Sequence, residues 1–316
     1  MARTEHHVRD DVRGFLEMLA AMGGQGVEQL GHIQGREQMR AMAQVAEADP
    51  RELAVIEDLA CPGPAGPIPL RFYDARESRA PGPCVVFLHG GGFVIGDLEV
   101  YHALCTEMAH HLDLPVVSVD YRLAPEHPFP AAPDDCEAAA RWVASSPAEL
   151  GRSITGLVIT GDSAGGNLTI VTTNQLVNNP AQVPVVVQAP IYPVASDTSH
   201  HSSLAHFAEG FLLTAAAMDW FMLQYAGDPN DPRHTPMVGD CSNTPPTVLC
   251  TAGLDPLRDS GREYGAHLVG QGTELAYFEF AGIIHGFTTL RKAIPSGQKD
   301  LEAYLDAIKL MVERHG

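Results

Sequence analysis

Basic residues are scarce in this chain: 20 Lys and Arg stand against 39 Asp and Glu, for a formal charge of −19. A surface of that sign repels phosphate backbones and anionic lipid, which argues against nucleic-acid binding and polybasic membrane attachment. No run of about 18 apolar residues occurs, so no membrane-spanning helix is expected. Met1 to Asp11 is crowded with charge and histidine and holds no apolar leader core, so a cytoplasmic protein is expected.

No Cys-x-x-Cys pair exists. Cys61, Cys84, Cys105, Cys136, Cys241 and Cys250 stand apart, a pattern that predicts free thiols in a reducing compartment rather than a disulfide framework or zinc knot. Cys84 and Cys250 lie inside apolar runs and read as inert buried thiols. His-Glu-x-x-His is also missing. Of 15 histidines, the pairs His6-His7, His110-His111 and His200-His201 are adjacent, and neighbours point apart on helix or strand. No metal site is expected.

With 45% hydrophobic and 19% charged residues, the composition is that of an ordinary folded chain. There is no internal repeat and no low-complexity linker. Short β-branched runs alternate with helical stretches, which predicts an α/β fold with a mostly parallel sheet flanked by helices. Eight strands are expected: Ala54–Leu59, Ile68–Tyr73, Cys84–Leu88, Val116–Val119, Leu157–Thr160, Val185–Ala189, Thr247–Thr251 and Glu274–Phe280. The turn-rich connector Cys61 to Pro67 makes the first two an antiparallel edge pair.

Two amphipathic stripes fall outside that alternation. Val8, Val12, Phe15, Leu16, Leu19 and Met22 mark one helix face; Met218, Phe221, Met222 and Tyr225 mark another, with Thr214 as its N-cap. Each stripe suits either the core or a cover over a site.

The chemistry is carried by Gly161-Asp162-Ser163-Ala164-Gly165, between an expected strand and a helix. Gly-x-Ser-x-Gly in that context is a nucleophile elbow, whose glycines let strand and helix approach closely around a strained serine. His89-Gly90-Gly91-Gly92 ends an earlier strand. Its glycines can turn main-chain N–H groups toward a carbonyl oxygen, and no Walker lysine follows that would make it a phosphate cradle. Gly90, Gly91 and Ala164 are the expected oxyanion donors, with His89 in a structural role.

A serine hydroxyl needs a base, and that base an orienting carboxylate. In α/β-hydrolases the chain order is Ser, acid, His. Asp255 follows the strand Thr247–Thr251 and is favoured over Asp259, four residues on, because it sits at the strand's carboxyl end, where ligand chemistry gathers in open sheets; Asp240 precedes the strand. His285 follows the next strand, whereas His267 falls in a helix and His315 at the terminus. Catalytic residues Ser163, Asp255 and His285 are therefore expected.

With those motifs, Tyr121 through Asp135 (YRLAPEHPFPAAPDD), Asp255 to Asp259 and His285-Gly286-Phe287, the sequence resembles the bacterial hormone-sensitive lipase family of esterases, from about Leu53 onward. That resemblance implies an α/β-hydrolase fold with a helical cap: residues 1–50 as cap helices, and 51–316 as the catalytic domain with a cap insertion around 196–226. It implies a serine carboxylesterase acting on short- to medium-chain esters, without metal or organic cofactor. It also implies a homodimer through the last strand. An amidase or arylformamidase on the same framework and a non-catalytic ligand receptor are the alternatives. The departure from the pattern is Ile283-Ile284, whose bulk would narrow the pocket if it faced inward.

Overall fold

A computed structural model describes residues 6–316, so the first five residues of the expected N-terminal cap lie outside it. Eight strands form one sheet: β1 (Val55–Gly63), β2 (Gly66–Asp74), β3 (Gly82–Leu88), β4 (Val116–Val119), β5 (Ile154–Asp162), β6 (Val185–Ile191), β7 (Thr247–Leu254) and β8 (Leu275–Ile284). Their spatial order is β1-β2-β4-β3-β5-β6-β7-β8. β2 is antiparallel to β1 and β4, and the remaining pairs are parallel.

All eight expected strands are present, most of them longer than their apolar cores. The connector expected over 61–67 is mostly strand: Gly63 pairs with Gly66 across a two-residue turn. Pro62 is tolerated because β1 is a sheet edge, where a missing N–H costs no ladder bond.

Strand side chains alternate between two helical layers. Val85, Phe87 and Val158 share a core with α3 (His102–Leu112) and α9 (Ser296–His315). Val86, Leu88 and Ile159 share one with α4 (Ala131–Ala144) and α5 (Ala164–Asn178). Both faces are covered, which is why the central strands read as continuous apolar runs. Each fully buried Val, Ile or Phe contributes about 1.5–3 kcal/mol. A helix α8 (Arg258–Gln271) joins β7 to β8.

Two further segments lie at the carboxyl ends of the strands. α1 (Asp10–Met22) stops at Gly23 in the left-handed conformation, and α2 (Val27–Ala46) is broken at Gly31, φ 78°. Their outer ends are tied to the chain on either side of His285. Arg9 Nε donates to Ala281 O at 2.8 Å, and the N–H groups of Lys292 and Ala293 donate to Ala46 O at 2.9 Å. Arg291, buried, bonds Glu47 through Nε at 2.7 Å. Between β6 and β7 come α6 (Ser202–Phe207) and α7 (Ala215–Tyr225), the latter capped by Thr214 as expected: Thr214 Oγ1 accepts the Ala217 N–H at 3.1 Å. Among the described residues, no helix is long and apolar enough to cross a membrane. All six cysteines are buried free thiols, and burial pushes Cys61 up to about 11.

Candidate active site

Ser163 occupies the turn between β5 and α5 at φ 57°, ψ −117°, an unfavourable region for a residue with a side chain. The turn is held by Ser163 N–H donating to Ile191 O at 2.9 Å, and Asn167 N–H donating to Ser163 O at 3.0 Å. The flanking glycines are sterically required. A Cβ on Gly165 would sit 1.9 Å from Leu88 O, and one on Gly161 would sit 2.2 Å from the same oxygen. The hydroxyl thus projects at the N-terminus of α5, where developing negative charge is favoured.

The structure brings the three expected side chains together. His285 Nε2 lies 2.8 Å from Ser163 Oγ, and His285 Nδ1 lies 2.7 Å from Asp255 Oδ2. Asp255 directly follows β7 and is wholly buried; its Oδ1 accepts the Leu257 N–H at 2.8 Å, leaving Oδ2 for the imidazole. His285 follows β8 at once and is 8% exposed. Asp259 is engaged elsewhere, with Arg258, Ser202 and Ser203. Asp240 is exposed on the surface loop before β7.

One oxyanion expectation is corrected. The Gly90 N–H is already committed to the buried Asp162 Oδ1 at 2.8 Å, and Gly90 does not line the cavity. Gly91 and Gly92 do, alongside Ser163 and Ala164, and neither N–H has an acceptor among the described residues. Both adopt positive φ, 111° and 61°. His89 is wedged below them: its ring stacks on Tyr121 at 4.2 Å, and its Nδ1 donates to Gly90 O at 2.8 Å. Burial pushes the imidazole toward its neutral form.

Asp162 was missed because a charged residue in the variable position of the motif carries no signal of its own. Its carboxylate also accepts Tyr101 OH at 3.1 Å and Tyr192 OH at 3.3 Å. Burial pushes it up to about 6, against the pull of His285 and these donors.

Above Ser163 opens a cavity of about 1500 Å³. The N-terminal stripe divides. Val12 and Phe15 enter the core, whereas Leu16, Leu19 and Met22 line the cavity. Met218, Phe221 and Met222 of α7 line it too, while Tyr225 is buried, stacked on Phe93 at 3.9 Å. The lining runs on past residue 226 to Val238. Ile283 and Ile284 lie fully in the core and leave the cavity untouched. His200 and His201 also depart from expectation. In a turn rather than a helix or strand their rings meet at 4.4 Å, and His201 Nε2 lies 3.2 Å from Glu263.

Residues 85–289 match the family model described as alpha/beta hydrolase fold. The chain belongs to that family. It is 39% identical over 268 residues to the carboxylic ester hydrolase LipN of Mycobacterium tuberculosis, covering 82% of this alpha/beta hydrolase and 70% of LipN. It is 34% identical to an ethyl acetate hydrolase of Pseudomonas putida, over 77% of this chain and 78% of that one. Among solved structures, the ester-hydrolase EH1AB1 from the metagenome of Lake Arreo superposes with a TM-score of 0.89 at 35% identity. That match covers 96% of this chain and 98% of the other. The resemblance to bacterial esterases drawn from the motifs is borne out.

Proposed function

We propose that this alpha/beta hydrolase is a serine carboxylesterase working by acyl transfer, with Ser163 as nucleophile, His285 as base and Asp255 as its orienting acid. The observation that carries the reading is the unbroken chain Asp255–His285–Ser163, at 2.7 and 2.8 Å, opening into an apolar cavity. His285 Nε2 takes the Ser163 proton as Oγ attacks the ester carbonyl. The N–H groups of Gly91, Gly92 and Ala164 hold the oxyanion. His285 then returns the proton to the leaving alcohol, and water repeats the cycle on the acyl-enzyme. Each donor of this kind is worth about 3 kcal/mol in the transition state.

The N-terminal helices and the insertion around 196–226 act as a cap bearing the acyl and alcohol pockets, as their lining of the cavity supports. Six free buried thiols favour the cytoplasm. The open edge of β8 favours pairing with a second copy.

The test is a kcat/KM series over p-nitrophenyl esters from acetate to palmitate, with Ser163→Ala as control and a fluorophosphonate as active-site label. Preference for short to medium chains, loss of turnover in Ser163→Ala and labelling of Ser163 are expected. Activity should fall on acidification, because the base must begin unprotonated. A matching amide cleaved faster than the ester would replace the esterase reading with an amidase.

A further inference from the structure

The cavity wall has a chemical bias that the catalytic residues do not explain. Among the described residues, six methionines line it: Met22, Met39, Met42, Met218, Met222 and Met237. Unbranched, polarisable side chains repack around ligands of different shape at low cost. The permanently charged side chains are of one sign: among the described residues, Glu28, Asp162, Asp197 and Glu263 line the cavity together with His200, His234 and His285, and no Lys or Arg does. Arginines on neighbouring elements are paired away. Arg36 bonds Glu126 at 2.7 Å, Arg40 bonds Asp97 at 2.5 Å, and Arg258 bonds Asp259 at 2.9 Å. A net charge of −19 adds a field of the same sign outside.

We infer that the site is permissive in shape and selective in charge: it takes esters with bulky neutral or cationic groups and rejects those bearing a second, free carboxylate. This inference rests on the esterase reading. Inside a partly desolvated cavity a substrate carboxylate finds no Lys or Arg to pair with and loses its water, whereas a neutral or quaternary-ammonium group meets apolar and acidic walls.

The test compares three acyl chains of matched length: p-nitrophenyl hexanoate, mono-p-nitrophenyl adipate, which ends in a carboxylate, and p-nitrophenyl 4-(trimethylammonio)butanoate. The adipate monoester should show kcat/KM at least tenfold below the hexanoate, and the ammonium ester should lie within about threefold of it. Raising NaCl to about 0.5 M, or replacing both Asp197→Asn and Glu263→Gln, should narrow the adipate deficit at least threefold. An adipate monoester hydrolysed as well as the hexanoate, or a deficit that neither salt nor the double variant moves, overturns the inference. Calorimetric affinities of the three esters for Ser163→Ala read the same discrimination without chemistry. A hexanoate ester that binds but is never cleaved by the wild-type chain therefore refutes the esterase reading alone. Equal affinity for all three refutes the charge selectivity alone.

Discussion

Asp162 Oδ1 accepts the Gly90 N–H at 2.8 Å, so the residue before Ser163 holds the glycine loop that faces it. Two motifs 72 residues apart are joined by one buried carboxylate, which Tyr101 and Tyr192 clasp from the other side. Ser163 and the glycine loop opposite it are thereby positioned by one group.

That carboxylate should leave a pH signature in stability. Its folded-state value, about 6, lies above the ordinary aspartate value of 3.8. Protonation therefore favours the folded state: the contribution is complete below the unfolded value and is lost as pH rises through about 6. The total is ~3 kcal/mol at full ionisation, by 1.36 kcal/mol per unit. Asp162→Asn lacks this titration, so the wild type should lose stability relative to the variant between pH 4 and 7, measured by denaturant unfolding. A difference that stays flat or moves the other way would refute it.

Asp255→Asn should preserve the fold and most of the substrate affinity but lower kcat by about 10⁴, because the amide no longer accepts the Nδ1 proton and the wrong tautomer prevails. Steady-state kinetics on a short p-nitrophenyl ester read this directly. Asp259→Asn, off the hydrogen-bond chain, should retain kcat within about threefold.

Gly92 packs against Phe221 so closely that a Cβ would lie 2.3 Å from the ring. Gly92→Ala should push the loop away and cost about 10²-fold in kcat, as expected for a displaced oxyanion donor. Adding Phe221→Ala removes the clash, and the double variant should recover at least part of that loss. No recovery would mean that the left-handed backbone at Gly92, φ 61°, and not the ring, sets the cost. Phe221→Ala alone should raise the ratio of decanoate to acetate turnover by about tenfold, since it opens a pocket wall.

Arg291 anchors the end of α2, and burial pushes its partner Glu47 up despite the guanidinium. Arg291→Met leaves Glu47 buried without its cation and should cost about 3–5 kcal/mol of stability. Because the same contact tethers α2 over the cavity, KM should rise more than kcat falls. Replacing both residues, Glu47→Leu with Arg291→Met, should restore much of the stability, as thermal unfolding would show.

The strands, the serine elbow and the convergence of Asp255 and His285 on Ser163 were legible in the sequence because each is governed by local rules. β-branched runs must be strands under helical cover, a strained serine needs glycines beside it, and chain order places Asp255 and His285 at the ends of β7 and β8. Which glycine amides are free was decided only in three dimensions, since Gly90 is taken by a carboxylate that nothing nearby in sequence identifies. The same holds for the split of the α1 stripe between core and cavity, for the inward burial of Ile283 and Ile284, and for the meeting of His200 with His201 in a turn. Local periodicity states which residues avoid water. Whether a partner or a void receives them depends on elements brought from elsewhere in the chain.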